Sequence, residues 1–286
     1  MPETLTDSST GTFELAGKNV RRLGFGAMRI TGDGIWGEPE DRDEALAVLR
    51  RAYELGVNFI DTADSYGPEV SENLIAEALH PYPDDLLIAT KAGLLRDGPG
   101  EWRGCGDPEH LRSAVEGSLG RLKLDRIDLL QLHRIDSNFP MEDQIGTLTD
   151  LRDEGKIAHI GLSEISVEQL DQVQEITEVV SVQNHYNLEN RDAADVLEAC
   201  EERGIGFIPW FPLASGNLLR DGSPLEEIAE RHEASAAQIA LAWLLARSEV
   251  MLPIPGTSSV EHLEDNLAAA AIELSSEEVS ELEEAA

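Results

Sequence analysis

Four side chains that can transfer or hold a proton follow the ends of three consecutive predicted strands. The stretch VNFIDTADSYG, residues 57–67, runs from a buried strand into Asp61 and then Tyr66. Lys91 ends the next apolar run, LLIATK, and His133 ends the one after that, IDLLQLH. Taken singly, each has an ordinary structural explanation, such as a helix cap or an amphipathic rim residue. Their recurrence at the same point of successive strands indicates one shared site.

Together these residue types suit the protonation of an oxygen that is gaining negative charge. A phenol titrates near ~10 and is a sluggish acid at neutral pH. The ammonium of Lys91 would stabilise the phenolate and lower the pKa of Tyr66, and Asp61 would hold that ammonium in place. His133 would hydrogen-bond the atom that Tyr66 protonates. A carbonyl oxygen acquires such charge when hydride reaches its carbon, so the four residues point to carbonyl reduction.

The elements that position these residues alternate between short apolar runs and amphipathic runs. Eight strands are predicted, in RLGFGAM, VNFID, LLIATK, IDLLQLH, IAHIGLS, VVSVQN, IGFIPWF and VMLPIPG. Helical stretches such as DPEHLRSAVEGSLGRL lie between them, with Asp107 as N-cap and Pro108 at the first helical position. This alternation predicts parallel strands with right-handed crossovers. We therefore expect an α/β fold in which residues 1–286 form a single (β/α)8 TIM barrel domain.

Two glycine-containing segments stand apart from the barrel repeats. GTFELAGKNV predicts an N-terminal β-hairpin with Gly17 in its turn. GDGIWG, residues 32–37, matches the dinucleotide pattern G-x-G-x-x-G, with Asp61 as a candidate ribose-binding acid. In that motif the glycines open a helix directly, and the acid follows about 20 residues later. Here EPED intervenes and Asp61 lies 29 residues after Gly32, which favours a plain glycine loop.

Charge excludes several classes of partner. Asp and Glu total 56 against 22 Lys and Arg, for a formal net charge of −34. Such a surface repels phosphate, so neither nucleic acid nor an anionic membrane is an expected partner. The acids are spread along the whole chain, which we interpret as a solvated acidic surface suited to high salt, as in a halophilic protein.

Other features of the composition indicate where the protein works. No apolar run approaches the ~20 residues that a membrane helix needs, and the polar, acidic start MPETLTDSSTG does not resemble a secretory signal. Cys105 and Cys200 are the only cysteines, and neither belongs to a CxxC pair. We expect a cytoplasmic protein, a monomer or small homo-oligomer, without a metal site.

In order and context, Asp61, Tyr66, Lys91 and His133 resemble the catalytic tetrad of the aldo-keto reductase superfamily. The resemblance covers nearly the whole chain, through RLGFGAM, DTADSYG, ATKAG, LLQLHR, IGLSE, VQNHYN and PIPGTSSVEHLEDN. It implies a barrel that binds extended NADP(H) across the strand ends and reversibly reduces an aldehyde or ketone. It also implies that Tyr66 is the general acid, that Lys91 lowers its pKa, that Asp61 anchors Lys91, and that His133 orients the carbonyl.

The cofactor positions that the resemblance implies include departures from the family pattern. Ser163 and Gln183 match residues that hold the nicotinamide carboxamide, and Trp210 stands where an aromatic ring stacks on the nicotinamide. Glu164 replaces the neighbouring family asparagine and, when ionised, only accepts hydrogen bonds. Where the family often places Lys or Arg on a 2′-phosphate, the candidates here are Gly256, Thr257, Ser258, His262, Asp265 and Asn266. Because a helix N-terminus after GTSS would still attract phosphate, NADPH is the expected cofactor, with NADH as the alternative.

The substrate and the alternative to an enzyme rest on the same resemblance. The segments PWFPLASG and PIPGTSSVEHL resemble bacterial members that include pyridoxal reductases, which suggests a small polar aldehyde such as pyridoxal. Trp36, Trp102 and Phe211 are candidates for the lining of a carbonyl pocket. The superfamily also includes β-subunits of voltage-gated potassium channels, which bind NADPH and act mainly as regulatory partners. An NADPH-binding redox sensor or regulatory module is therefore the alternative function.

Overall fold

Parallel strands with helices between them make up most of the structure. The computed structural model describes residues 11–213 and 224–285, so the end of the PWFPLASG segment lies outside it. The strands are Thr12–Leu15 (β1), Lys18–Arg21 (β2), Phe25–Gly26 (β3), Phe59–Asp61 (β4), Leu87–Ala92 (β5), Leu94–Gly98 (β6), Glu101–Gly104 (β7), Ile127–Leu132 (β8), Ile157–Ser163 (β9), Ser181–His185 (β10) and Gly206–Trp210 (β11). The helices are Arg42–Glu54 (α1), Val70–Leu79 (α2), Pro108–Leu122 (α3), Met141–Asp153 (α4), Val167–Gln174 (α5), Ala194–Arg203 (α6), Pro224–Arg231 (α7), Ala236–Arg247 (α8), Val260–Ala268 (α9) and Ser276–Ala285 (α10).

Seven parallel strands form the wall of the barrel, in the order β11, β10, β9, β8, β5, β4, β3. The helices pack on the outside of this wall, as in the contacts of α2 with α3 and of α3 with α4. As predicted, Asp107 caps α3 by accepting a hydrogen bond from Glu109 N, with Pro108 in the first turn. The predicted strand–helix alternation is thus confirmed, and the parallel strand ends all reach one rim.

The eighth predicted strand, VMLPIPG, is replaced by an irregular segment that nevertheless closes the barrel. On one side, Phe207 forms two backbone hydrogen bonds of 2.8 Å with residues 250–252. On the other side, Gly24 N donates to Pro253 O at 2.9 Å. Pro253 and Pro255 have no N–H to donate, so a regular ladder cannot form here. The (β/α)8 architecture is confirmed, with the eighth strand position filled by a segment that joins its neighbours through isolated hydrogen bonds.

The predicted N-terminal hairpin is present and covers one end of the barrel. Strands β1 and β2 pair antiparallel, and the turn between them is formed by Ala16 and Gly17, whose φ angles are 51° and 75°. These left-handed values match the type of turn that suits a two-residue hairpin loop. Leu15 and Val20 are fully buried and pack in one cluster with Phe59 and other barrel residues. The hairpin therefore covers the barrel core at the end opposite to the strand ends that carry the predicted site.

A second hairpin was missed by the sequence prediction. Strands β6 and β7 pair antiparallel directly after β5, the strand that carries Lys91. Its sequence, LLRDGPGEWRG, is largely polar and exposed, so it has no apolar periodicity from which a strand is predicted. The hairpin projects from the same rim of the barrel as the predicted site.

The segment GDGIWG is a loop and not a dinucleotide-binding turn. Gly32 N donates to Gly37 O at 3.0 Å, so the segment closes on itself. Helix α1 begins only at Arg42, where Asp41 is the N-cap and accepts from Glu44 N at 2.9 Å. Because the helix does not open on the glycines, no helix N-terminus faces the loop as the Rossmann motif requires. The plain glycine loop is confirmed.

The acidic surface leads to a prediction about salt. The described ion pairs often share one base between two acids: Arg112, for example, contacts both Asp150 and Glu154. With a net charge of −34, folding brings carboxylates closer together than in the unfolded chain, so self-repulsion opposes the folded state. The distance over which charges interact before salt screens them falls from about 10 Å at 0.1 M salt to about 3 Å at 1 M. The melting temperature and activity should therefore rise as KCl increases from roughly 0.1 M to beyond 1 M. Thermal melts over that range test this, and a melting temperature that stays flat or falls would instead describe an ordinary acidic protein.

Candidate active site

Three barrel strands deliver the four predicted residues to one point on the rim. Asp61 is the last residue of β4, Lys91 lies near the end of β5, and His133 directly follows β8. Tyr66 lies on the loop after β4. All four are buried: the exposed fraction is 0% for Lys91, 2% for Asp61, and 6% for both Tyr66 and His133. The strand-end spacing seen in the sequence therefore becomes direct contact in the fold.

The ammonium of Lys91 lies at the centre of this group. Its Nζ donates to Asp61 Oδ1 at 2.5 Å, to the backbone oxygen of Thr62 at 3.0 Å and to Tyr66 Oη at 3.3 Å. An ammonium has three donors, and each is used. The side chain is thus fixed with its charge between the carboxylate and the phenol.

Two buried amides complete the coordination of Asp61. Gln131 Nε2 and Gln183 Nε2 both donate to Asp61 Oδ2 at 2.8 Å. Gln131 was not among the predicted site residues, although the alternation in IDLLQLH places it on the inner face of β8, two residues before His133. Both oxygens of the carboxylate are satisfied, so Asp61 is held rigidly opposite Lys91.

Burial controls the protonation of this cluster. Burial raises the pKa of Tyr66 above its ordinary value, and Lys91 opposes this while Asp61 adds to it. The predicted lowering effect of Lys91 is therefore present in direction but is outweighed by burial. Burial alone would lower the pKa of Lys91, but Asp61 and Tyr66 raise it overall. The phenol is protonated and the ammonium charged throughout the neutral range, which is the state that a general acid requires.

His133 is neutral in this environment. Burial, together with the positive charges of Lys91 and Arg134, holds its pKa well below the ordinary value. Its Nδ1 lies 3.4 Å from Ser65 Oγ, and its ring lies edge-on to that of Tyr66 with 6.0 Å between the centroids. A neutral imidazole can donate a hydrogen bond to an oxygen without adding a charge. This suits the role predicted for it, which is to hold a carbonyl next to Tyr66.

The loop that carries Tyr66 is tied to its surroundings by buried hydrogen bonds. Ser71 N donates to Tyr66 O at 3.1 Å, and Ser71 Oγ bonds Thr62 Oγ1 at 2.8 Å. Glu72 is fully buried, and it accepts from Thr90 Oγ1 and from Arg121 Nε, both at 2.6 Å. Helix α2 is thereby locked to β5 next to Lys91, so the phenol and the ammonium are positioned by one network.

Asp64 is a buried acid in the same loop. Its Oδ1 has no hydrogen-bond partner among the described residues. Burial, reinforced by the nearby charge of Glu72, raises the pKa of Asp64 to about 8, with Arg121 and Ser65 opposing. An aspartate in an unfolded chain ionises near ~3.9. Folding therefore keeps this carboxyl protonated where the unfolded chain ionises it, and stability is lost as the pH rises from about 4 to about 8.

We predict that Asp64→Asn stabilises the protein at pH 8, because asparagine has no charge to desolvate. The gain in melting temperature should be at least roughly 2–4 °C, the shift that 1 kcal/mol gives in a domain of this size. The gain should shrink as the pH is lowered through about 4, below which the carboxyl is protonated in both the folded and the unfolded state. Thermal melts across this pH range measure it, and Asp84→Asn, at an exposed position, is the control. An equal effect of Asp64→Asn at all pH values would contradict the assignment.

A cleft of ≈ 1910 Å³ opens above the four residues. Pockets for small molecules usually measure ~300–1,000 Å³, so this cleft has room for a large ligand together with a small one. Of the predicted residues, it is lined by Asp61, Tyr66, His133, Ser163, Gln183, Trp210, Gly256, Ser258, Trp36, Trp102 and Phe211. The described residues lining it do not include Glu164, Thr257, His262, Asp265 or Asn266. Lys91 lies beneath the floor, behind Asp61 and Tyr66.

Glu164 is directed away from the cleft and holds an aromatic side chain. Its Oε1 accepts from Trp210 Nε1 at 2.5 Å and from His185 N at 2.7 Å. Trp210 in turn stacks on the His185 ring, with 4.4 Å between the centroids and 22° between the planes. The acid that replaces the family asparagine therefore fixes the ring that lines the cleft. This pairing was not foreseen, because nothing in the spacing relates residues 46 positions apart.

The start of α9 is already occupied by groups of this chain. Thr257 Oγ1 accepts from Ser259 N at 3.1 Å, and Glu44 Oε1 of α1 accepts from Val260 N at 2.9 Å. Asp265 is bonded to Ser235 and Gln238 at the start of α8. His262 is exposed, and Asn266 is buried. Ser258 and Gly256 are the predicted residues of this segment that reach the cleft.

Two further cleft residues were missed by the sequence prediction. Arg29 lines the cleft beside Gly256. The two residues are so close that a Cβ atom added to Gly256 would lie 3.5 Å from Arg29 Cγ. Arg134 also lines the cleft and donates to Ser163 Oγ at 3.0 Å. The available sequence signal was their position, because Arg29 directly follows the predicted strand RLGFGAM and Arg134 directly follows IDLLQLH in a chain with few basic residues. They supply positive charge that would suit an anionic ligand.

Some classes of site are not found in residues 11–213 and 224–285. None of the helices there is both long and apolar enough to cross a membrane. Nor do three or more His, Cys, Asp or Glu side chains converge there in an arrangement that would hold a metal ion.

Comparison with known proteins identifies the class to which this fold and site belong. Residues 22–286 match the Aldo/keto reductase family. The chain therefore belongs to the aldo/keto reductase family, and it is an oxidoreductase.

Particular relatives support this assignment. An uncharacterized oxidoreductase of Schizosaccharomyces pombe is 54% identical over 277 residues, covering 97% of this chain and 90% of that protein. A pyridoxine 4-dehydrogenase of Escherichia coli is 43% identical over 281 residues, covering 96% and 98%. The crystal structure of an aldo-keto reductase from Klebsiella pneumoniae in complex with NADPH is 28% identical, with a TM-score of 0.80, and the match covers 96% of this chain and 94% of that one.

Proposed function

We propose that the protein reduces an aldehyde to an alcohol with NADPH, and that Tyr66 is the general acid. The observation that supports this most strongly is the position of Lys91 Nζ, 2.5 Å from Asp61 Oδ1 and 3.3 Å from Tyr66 Oη, below the floor of the cleft. A phenol beside a fixed ammonium can give up a proton and leave a stabilised phenolate. The E. coli relative named pyridoxine 4-dehydrogenase favours a small polar substrate such as pyridoxal.

Each residue of the cluster has a separate task in this reaction. Tyr66 Oη donates its proton to the carbonyl oxygen as negative charge develops there. Lys91, held by Asp61, stabilises the phenolate that remains. Neutral His133 donates a hydrogen bond that keeps the carbonyl oxygen next to Tyr66 Oη. In the reverse direction, the phenolate accepts the proton of the alcohol.

The cleft fits a nicotinamide dinucleotide. That cofactor, when bound, supplies the hydride. Ser163 and Gln183 present polar atoms to the cleft, Trp210 presents a ring, and Ser258 and Arg29 line it as well. Since Gln183 Nε2 is directed at Asp61, its Oε1 is the acceptor for a carboxamide N–H. The guanidinium of Arg29 is the group best placed for phosphate, in place of the family's Lys or Arg near Gly256.

The test is the oxidation of NADPH and of NADH in the presence of a panel of aldehydes that includes pyridoxal. Sustained loss of cofactor absorbance supports the reductase. Cofactor binding without turnover would support the alternative, a redox sensor or regulatory module.

The same assay tests a prediction about cofactor preference. If Ser258 and Arg29 attract a 2′-phosphate, kcat/KM should be higher with NADPH than with NADH. Arg29→Gln should narrow that difference, because it removes a positive charge that lines the cleft. His262→Ala should have a smaller effect, because His262 is exposed outside the residues that line the cleft. Arg42→Gln, at an exposed arginine paired with Glu77, is the control. A preference for NADH in the unaltered protein would contradict this and leave the ribose hydroxyl as the group that is recognised.

A further inference from the structure

Exposed apolar surface is concentrated at the mouth of the cleft. Among the described residues, three large apolar side chains are exposed: Trp36 at 36%, Trp102 at 37% and Ile176 at 40%. Both tryptophans line the cleft, Trp36 from the loop before α1 and Trp102 from β7. Exposed apolar patches often mark binding sites, so two solvent-facing indoles next to the proposed reaction centre indicate a ligand that covers them.

One arginine fixes both indoles. The guanidinium of Arg96, on β6, lies 3.6 Å from the Trp102 ring centroid and 5.6 Å from that of Trp36. Among the described residues, no carboxylate forms a salt bridge with Arg96, and burial lowers its pKa with no acid opposing. A planar guanidinium is suited to stacking on aromatic faces in a way that a lysine ammonium is not.

The same guanidinium joins three segments of chain. All of its N–H donors are directed at backbone oxygens, those of Gly34, Ile35, Ser65, Gly98 and Glu101, at 2.6–3.3 Å. These oxygens belong to the glycine loop, to the residue before Tyr66 and to the β6–β7 hairpin. Five directed bonds from one side chain hold the two indoles in a set relation to the loop of the general acid.

The fixed indole of Trp102 borders the reacting atoms. Its ring centroid lies 6.3 Å from that of Tyr66 and 6.4 Å from that of His133, in edge contacts. A carbonyl oxygen that accepts the proton of Tyr66 therefore has its substituent next to Trp102. Contact with a rigid aromatic face favours a flat substituent, because flat rings stack with little loss of contact.

We propose that Arg96 is a positioning residue that builds an aromatic wall from Trp36 and Trp102, and that this wall binds the planar ring of an aromatic or heteroaromatic aldehyde. The proposal rests on the proposed carbonyl reduction and specifies its substrate class. The aromatic wall would bind a planar ring better than a puckered ring of the same size, because the puckered ring has a similar apolar area but cannot stack.

The test compares benzaldehyde, cyclohexanecarbaldehyde and propanal in the same NADPH assay. The informative quantity is the ratio of kcat/KM for benzaldehyde to that for cyclohexanecarbaldehyde, because it cancels effects common to both six-membered rings and leaves the effect of planarity. Trp102→Ala should lower this ratio by about tenfold, the factor that corresponds to the upper part of the range for aromatic pairing. Arg96→Lys keeps the charge but loses the planar fork, so it should lower the ratio in the same direction.

Arg103→Gln is the matched control on the same hairpin, since Arg103 is exposed and paired with Asp97. It should leave the ratio unchanged. Melting temperatures of all variants show whether each is folded, and Trp102→Ala tests the wall even if Arg96→Lys does not fold. The fall in kcat/KM for benzaldehyde should come from a higher KM more than from a lower kcat. Propanal should be little affected, a pattern that a general loss of structure would not produce.

The outcomes separate this proposal from the one on which it rests. A wild-type protein that reduces none of the aldehydes with NADPH or NADH would overturn the proposed function. A wild-type protein that reduces them, with Trp102→Ala and Arg96→Lys keeping its ratio, would overturn the aromatic wall alone. A selective fall in the ratio in both variants, with Arg103→Gln unchanged, supports it.

Discussion

Tyr66→Phe should lower kcat for aldehyde reduction by about 10²–10⁴, the usual contribution of a positioned general acid. The hydroxyl is the only group lost, and phenylalanine keeps the ring that contacts Trp102 and His133. The Kd for NADPH, measured by fluorescence titration, should change little, because the hydroxyl is bonded to Lys91 below the floor of the cleft. The result expected is therefore a bound cofactor that no longer turns over.

Tyr53→Phe is the matched control for this substitution. Its hydroxyl also forms a hydrogen bond, to Asp85 at 3.1 Å, but lies outside the cleft. It should leave kcat and Kd as they are. If Tyr66→Phe retained the kcat of the unaltered protein, the proton would have to come from another group, and the role given to Tyr66 would be wrong.

Lys91→Met should be similarly severe for kcat, with an added cost in stability. The phenolate would lose its stabilising charge, so an effect of about 10²–10⁴ is again expected. Asp61, 2% exposed, would keep only the two amides as partners. Breaking a buried ion pair by removing one partner typically costs about 3–5 kcal/mol. A lower melting temperature should accompany the loss of activity.

A second variant separates the two effects of Lys91→Met. In the double variant Asp61→Asn with Lys91→Met, no buried charge is left without a partner, so much of the lost stability should return. Activity should not return, because the phenol still lacks the ammonium. Lys156→Met, at a lysine whose ion pairs with Glu116 and Glu154 are exposed, is the control. Recovery of activity in the double variant would show that Lys91 acts only through stability.

The cluster that we propose to be catalytic could be predicted because its geometry follows from local pattern. Asp61, Lys91 and His133 each stand at the end of an apolar run, and parallel strands in one barrel carry those ends to the same rim. The type of each residue then limits the chemistry. The order of the strands is enough to predict that these strand ends are neighbours, without any knowledge of side-chain directions.

The finer arrangement depended on side-chain directions that spacing does not contain. The amide of Gln183 bonds Asp61 across 122 positions of sequence, and Glu164, which was predicted as a cofactor residue, accepts a hydrogen bond from Trp210. The β6–β7 hairpin was missed because its strands are exposed and have no buried face. Arg96 could not be singled out, because its partners are backbone oxygens, which every residue possesses.

The sequence by itself thus predicted the fold, the general reaction class and the four residues proposed for catalysis, through apolar periodicity, residue type and the resemblance to the family. Only the tertiary structure decided the electrostatics and the shape of the site. The pKa of Tyr66 depends on how deeply the phenol is buried. Burial raises this pKa by more than the charge of Lys91 lowers it. The wall of the cleft likewise depends on where one guanidinium meets three distant segments, and that meeting is set by the packing of the whole barrel.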